Sequence, residues 1–201
     1  MERQAFLAVL ERALSAAPPL AGAHPPPPPP DVVPRVGWRP DPRPLAERFG
    51  EALRGVGARL ITAAELPAAL GELEVERAVL TTDRLSLPPA VERLGLERVR
   101  EADAGVTEAV AACAATGTVV LAASPGEPRA VSLLPRVHVV AVERDGLVET
   151  PGDVLRDLGG RYAGGLPSAL TFVTGPSRSA DIGGELVMGV HGPLAVLVVL
   201  L

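Results

Sequence analysis

Lysine is absent from this chain of 201 residues, asparagine is absent too, and glutamine occurs once, as Gln4. Without a lysine no Schiff base can form and no Walker-type phosphate loop can be completed. PLP enzymes, lysine-dependent aldolases and P-loop nucleotide hydrolases are therefore excluded. Cysteine also occurs once, as Cys113. One thiol makes no internal disulfide, and one thiolate holds neither an iron–sulfur cluster nor a structural zinc. Its alanine neighbours place it in a small-residue helical stretch as a buried packing group. Aromatic residues make up only 2% of the chain, which leaves little to stack against single-stranded nucleic acid. The formal net charge of −5 disfavours a phosphate-backbone partner. No nucleic-acid partner is expected, the three histidines are not spaced as a metal site, and no cofactor is expected.

Long hydrophobic runs are missing as well. The apolar stretch Leu194 to Leu201 is far shorter than the roughly 20 residues of a membrane helix. Its β-branched content fits a central strand. The opening Met-Glu-Arg-Gln-Ala-Phe-Leu has an early acid and no apolar core of a signal peptide. A soluble, cytoplasmic protein without a membrane span is expected.

What is present is a core-forming chain, 47% hydrophobic and built from Ala, Val and Leu. Phe6, Leu7, Leu10 and Leu14 share one helical face, so residues 1–17 read as a helical arm. Residues 18–42, with six prolines at 25–30, read as a proline-rich linker, and 43–201 as the α/β body. In the body, Leu45, Phe49, Leu53 and Val56 mark a helix, 58–61 a strand, 65–73 a helix and 78–81 a strand. Ser86-Leu87-Pro88 reads as a helix start, 106–115 as a helix, and 117–122 and 137–142 as strands. A helix begins at Thr150-Pro151, and 172–173 and 194–201 supply the last strands. Strands apolar on both faces, alternating with helices, predict an α/β fold with a mainly parallel sheet and helices on both faces.

The C-terminal region is the most informative. Thr174-Gly175-Pro176-Ser177-Arg178-Ser179-Ala180-Asp181 follows a short strand and precedes what reads as a short helix. Unpaired amides and partial positive charge at a helix start, with an arginine beside them, would suit a phosphate or carboxylate. The loop should lie beyond the carboxyl ends of the strands, where ligands of such sheets bind. Ser177, Arg178 and Ser179 are its candidate anion contacts. Arg178 reads first as an anion clamp and, against that, as a structural ion-pair partner of Asp181 or Glu185; Asp181, also a candidate ligand contact, reads first as a helix cap and, against that, as a base. His191, in the turn His191-Gly192-Pro193, reads as a ligand contact or as a turn residue bonding a carbonyl. His138 reads as a core residue of its strand. Thr116 and Gly117 join a helix to a strand and would contact a ligand if they met the Gly-Pro-Ser-Arg loop. In Pro125-Gly126-Glu127-Pro128-Arg129, Arg129 reads as a second anion contact or a solvated charge.

These motifs resemble the LUD domain family, of the lactate-utilisation protein C (LutC) kind. The resemblance rests on 49–57, Gly105-Val106-Thr107, 116–121, and Arg129 with Leu133-Leu134-Pro135-Arg136-Val137-His138. Its most specific parts are Gly175 to Ile182 and Gly189-Val190-His191-Gly192-Pro193. It implies a fold similar to the ribose-phosphate isomerase, glucosamine-phosphate deaminase and CoA-transferase group. It also implies a part in oxidising L-lactate to pyruvate beside iron–sulfur partner proteins, as a subunit that binds a small anionic or phosphorylated ligand or docks to those partners. The family's usual acidic residues fall here at Val110 and Ala115, with Glu108 nearby, so whether the chain is itself catalytic stays open. The alternative is a stand-alone enzyme or metabolite-binding protein acting on a sugar phosphate or CoA thioester. Folate cyclo-ligation, on a similar fold, ranks last for want of lysine.

Overall fold

The computed structural model describes Arg12, residues 41–180 and residues 186–201. The predicted arm, the linker with His24, and Asp181 and Glu185 lie outside the described residues. Pro42–Leu201 forms one compact unit.

The body opens with α1 (Leu45–Gly55), whose Phe49 and Leu53, four residues apart, are 0% and 1% exposed. Burying each contributes roughly 2 kcal/mol. Then follow β1 (Arg59–Ile61), α2 (Leu66–Glu72), β2 (Arg77–Leu80), β3 (Glu92–Leu94), β4 (Ala104–Glu108), β5 (Ala111–Cys113) and β6 (Thr118–Ala122). The chain continues through α3 (Ala130–Leu133), β7 (Val137–Val142), β8 (Leu147–Val148), α4 (Pro151–Arg161), β9 (Leu170–Val173), β10 (Arg178–Ala180), β11 (Leu186–Met188) and β12 (Ala195–Leu200).

Six strands form one sheet in the order β1-β12-β7-β4-β2-β3, and every neighbouring pair is parallel. The α/β, mainly parallel expectation thus holds. Alternation along β7 divides the core. Val137, Val139 and Ala141 meet Leu66, Ala69 and Leu70 of α2 on one face. Val140 and Val142 meet Phe49 and Leu53 of α1 on the other. That second face also carries a sheet the sequence did not announce, ordered β8-β5-β6-β9. Its Ala112, Val119 and Leu121 pack into the same cluster as α1.

Three readings are corrected. Residues 106–115 form no helix; they end β4 and make β5. The alanines there favour a helix locally, yet Ala111, Ala112 and Cys113 are fully buried, and small side chains let the layers approach. Cys113 is therefore a strand residue, and its thiol is pushed up to about 11 by burial and then by the charge of Asp153. Ser86-Leu87-Pro88 starts no helix. Paired prolines at 88 and 89 hold it extended, and a 3-10 turn forms later, at Leu96–Glu101. The short helix expected after the Gly-Pro-Ser-Arg loop is also replaced: β10 and β11 pair as an antiparallel hairpin.

Candidate functional site

In open parallel sheets a ligand crevice forms at the carboxyl ends of strands where the winding direction reverses. Here the chain runs from β2 outward to β3, then returns to β4 on the other side of β2 and proceeds to β7 and β12. The reversal lies between β2 and β4. Thr81 and Thr82 follow β2, and Glu108 ends β4. The Thr81 hydroxyl donates to the Val106 carbonyl at 3.2 Å, and the Thr82 hydroxyl to the Glu108 carboxylate at 2.8 Å. The Glu108 amide donates to the Glu127 carboxylate at 3.1 Å. Burial, then the neighbouring Glu108 charge, raise the Glu127 carboxyl above the ordinary range against the hydrogen bonds it accepts. Glu127, its carboxyl raised by burial, therefore lies beside Glu108 at the switch point.

The loop holding Glu127 is fixed by its surroundings. Its amide donates to the Ser124 hydroxyl at 3.1 Å, and α3 then drops onto β4. A side chain at Gly105 would collide with the Val131 carbonyl, so glycine is required for that approach. Thr107 and Arg129 are thereby brought to the wall of one small cavity, with Glu127, Ser132 and Thr171. Behind it, the buried His138 ring nitrogen Nε2 is 2.9 Å from the Thr107 hydroxyl. Complete burial lowers His138 to about 4, so it is a neutral core residue at pH 7.

The Gly-Pro-Ser-Arg loop lies at the other end of the sheet, which corrects its expected position. It follows β9, and β9 runs antiparallel to β6 in the second sheet. The Ser177 amide donates to the Pro193 carbonyl at 2.8 Å, two residues before β12 begins. A Cβ at Gly175, whose φ is +81°, would strike the Val56 carbonyl, so this position needs glycine twice over. Arg178 Nη2 donates to that same carbonyl at 2.9 Å. Val56 caps the C-terminal end of α1. Arg178 thus sits on the negative end of a helix dipole rather than beside a positive one. Arg136 does the same for α2, donating to the carbonyls of Leu73 and Glu74 at 2.7 Å each.

Other predicted contacts gather at this amino edge. The His191 amide lies 3.4 Å from the Ser177 hydroxyl, and its ring is exposed. Ser179 pairs with Val187 across the hairpin. Thr116 and Gly117 belong to the β5–β6 turn rather than to a helix end. Thr116 reaches the loop through a hydroxyl chain, 2.7 Å to Thr118 and 2.8 Å from Thr118 to Thr174. Ser177, Arg178, His191, Thr116 and Gly117 are therefore grouped, while Arg129 stands apart at the carboxyl edge. Sequence reasoning passed over Glu127 and placed Glu108 on a helix. The turn residues 125–129 were the one signal for the carboxyl edge, and only Arg129 was drawn from it.

A six-stranded parallel sheet backed by a second sheet, with its reversal between β2 and β4, defines an α/β protein with a switch-point cleft. The LUD domain matches residues 53–201, and the chain belongs to that family. It is 45% identical over 105 residues to lactate utilization protein C of Halalkalibacterium halodurans, covering 51% of this chain and 45% of that protein. To the protein of the same name in Bacillus subtilis it is 38% identical over 104 residues, covering 49% and 42%. The matches thus span less than half the length of these relatives. Among solved structures, a DUF162 family protein from Deinococcus radiodurans superposes with a TM-score of 0.55 at 28% identity, covering 78% of this chain and 95% of that one. Among the described residues, no helix is long and apolar enough to cross a membrane.

Proposed function

We propose that this chain is a LutC-like component of L-lactate utilisation, acting with iron–sulfur partner proteins in the oxidation of lactate to pyruvate. The likeness to proteins named lactate utilization protein C carries the reading. With one cysteine, these residues do not themselves complete the ligand set of an iron–sulfur cluster, which fits action beside iron–sulfur partners. The partner contact is assigned to the amino edge. There Val190 and Leu194 are 54% and 50% exposed beside Met188, His191 and Arg178. Apolar groups clustered in an exposed turn mark a surface made to be covered. The Ser177 backbone ties that turn down, accepting from the Gly189 amide at 3.0 Å and donating to the Pro193 carbonyl at 2.8 Å.

Growth of a deletion strain on L-lactate as sole carbon source is the test. The expected result is loss of growth, restored by the wild-type chain. Normal growth of a strain with no second copy contradicts the reading. Tagged chain should retain iron-containing partners from lactate-grown cells and lose them with Val190→Asp and Leu194→Asp together.

One observation favours a second reading, an independent enzyme on the same fold. Glu127, whose carboxyl is raised above the ordinary range by burial, lies at the switch point beside Glu108, where a general acid would be placed. A screen of sugar phosphates and CoA thioesters checks it: turnover abolished by Glu127→Gln supports an enzyme, and no turnover removes it.

A further inference from the structure

Beside the carboxyl-edge cavity opens a groove of about 700 Å³, a size typical of small-molecule sites. Pro125, Pro128 and Pro167 make much of its wall and stiffen it. Its polar residues are few: Ser124, Ser168, Tyr162 and Arg129. The Tyr162 hydroxyl is buried and has no hydrogen-bond partner among the described residues. A buried phenol ordinarily has one, and this atom lies behind the groove wall rather than open to it.

Arg129 lines both the groove and the inner cavity, which is about the size of one water molecule. Its guanidinium makes no ion pair among the described residues. Many arginines of the body do pair, as Arg48 with Glu149 and Arg84 with Glu143. An arginine shared by a wide groove and a tiny chamber suits a ligand with two adjacent features. One is a carboxylate, which the guanidinium fork matches. The other is a single oxygen small enough for the chamber, where Glu127, Thr107 and Thr171 offer donors and acceptors. The charge balance suits a monoanion better than a dianion. Glu127 lines the chamber, and Glu108 lies next to it.

We propose that this cleft binds a small 2-hydroxy or 2-oxo monocarboxylate, with Arg129 on the carboxylate and Glu127 and Thr107 about the second oxygen. The proposal deepens the lactate reading and rests on it for the choice of ligand, not for the existence of the site. Both ends of such a molecule are recognised where the parallel sheet places ligands, away from the Gly-Pro-Ser-Arg loop.

Isothermal titration of the full chain tests it with four probes: L-lactate, pyruvate, propionate and inorganic phosphate. Lactate and pyruvate should bind saturably. Propionate, which lacks the second oxygen, should bind at least tenfold more weakly, and phosphate should not compete. Arg129→Gln should weaken lactate and pyruvate tenfold or more with unchanged circular dichroism. Arg100→Gln, an equal charge change on an exposed arginine elsewhere, should not. Ser168→Trp, at the exposed mouth, should block both ligands without touching Arg129. No saturable binding of either acid to a chain that restores growth overturns the site and leaves the pathway standing. Binding that survives both Arg129→Gln and Ser168→Trp, or phosphate binding as tightly as lactate, also overturns it. Arg129-dependent binding in a chain dispensable for growth upholds the site and sinks the pathway.

Discussion

The two edges of the six-stranded sheet carry opposite electrostatic settings. At the amino edge, α1 and α2 present their carbonyl ends, and two arginines are used to satisfy them: Arg178 on Val56, Arg136 on Leu73 and Glu74. At the carboxyl edge, Arg129 has no carboxylate partner among the described residues and faces a cleft. An arginine that closes a helix is already engaged with partial negative charge, so it attracts a further anion less. The arginine in the more distinctive sequence motif is therefore the less available one. A distinctive motif can serve a local junction, here the end of α1, without forming the ligand site.

The largest expected effect falls on the carboxyl edge. Gly105→Val forces α3 off β4 and should cost about 3 kcal/mol or more, read from the urea midpoint. Monocarboxylate binding should be lost with it, because Thr107 and Arg129 separate. Retained binding would detach the cleft from the β4–α3 packing.

Acid is the next probe. His138 titrates near 6.5 when unfolded and near 4 when folded, so the unfolded chain takes up its proton first as pH falls. Its contribution to stability is unchanged above about pH 7, declines between 6.5 and 4, and is constant below. The full loss is on the order of 3 kcal/mol. A His138→Val chain should show a flatter pH dependence over that window in urea titrations.

Changes at the amino edge should be smaller and confined to stability and partner retention. Thr118→Val breaks the middle of the hydroxyl chain from Thr116 to Thr174 and should cost about 1–2 kcal/mol. Arg178→Ala removes an exposed cap from α1 and should cost roughly 0.5–1 kcal/mol, visible as a small drop in thermal midpoint. A loss of several kcal/mol there would mean that the loop organises the core rather than decorating it.

Much of the frame was legible in the sequence, because some elements are governed by local rules. Val137–Val142 and Ala195–Leu200 are apolar on both faces, as central parallel strands must be. The helix after Thr150 was marked by its own capping residues, with the Thr150 amide donating to the Asp153 carboxylate at 2.7 Å. The failures arose where distant packing decides. Alanines at 111–115 signal helix by propensity, but here most are small because two layers press against them. The Gly-Pro-Ser-Arg loop followed a strand, and nothing local reveals that the strand runs antiparallel in a second sheet. The same gap hid the cleft. Glu108 and Glu127 are 19 residues apart, and only the topology makes them neighbours.

The division of work between the two edges is tested most directly by amide hydrogen exchange of the full chain, with and without saturating L-lactate. The account predicts added protection at 107–108, 122–132 and 162–171, and none at 174–180 or 188–194. Protection concentrated at the Gly-Pro-Ser-Arg loop and the His191 turn, with the carboxyl edge unchanged, would contradict it.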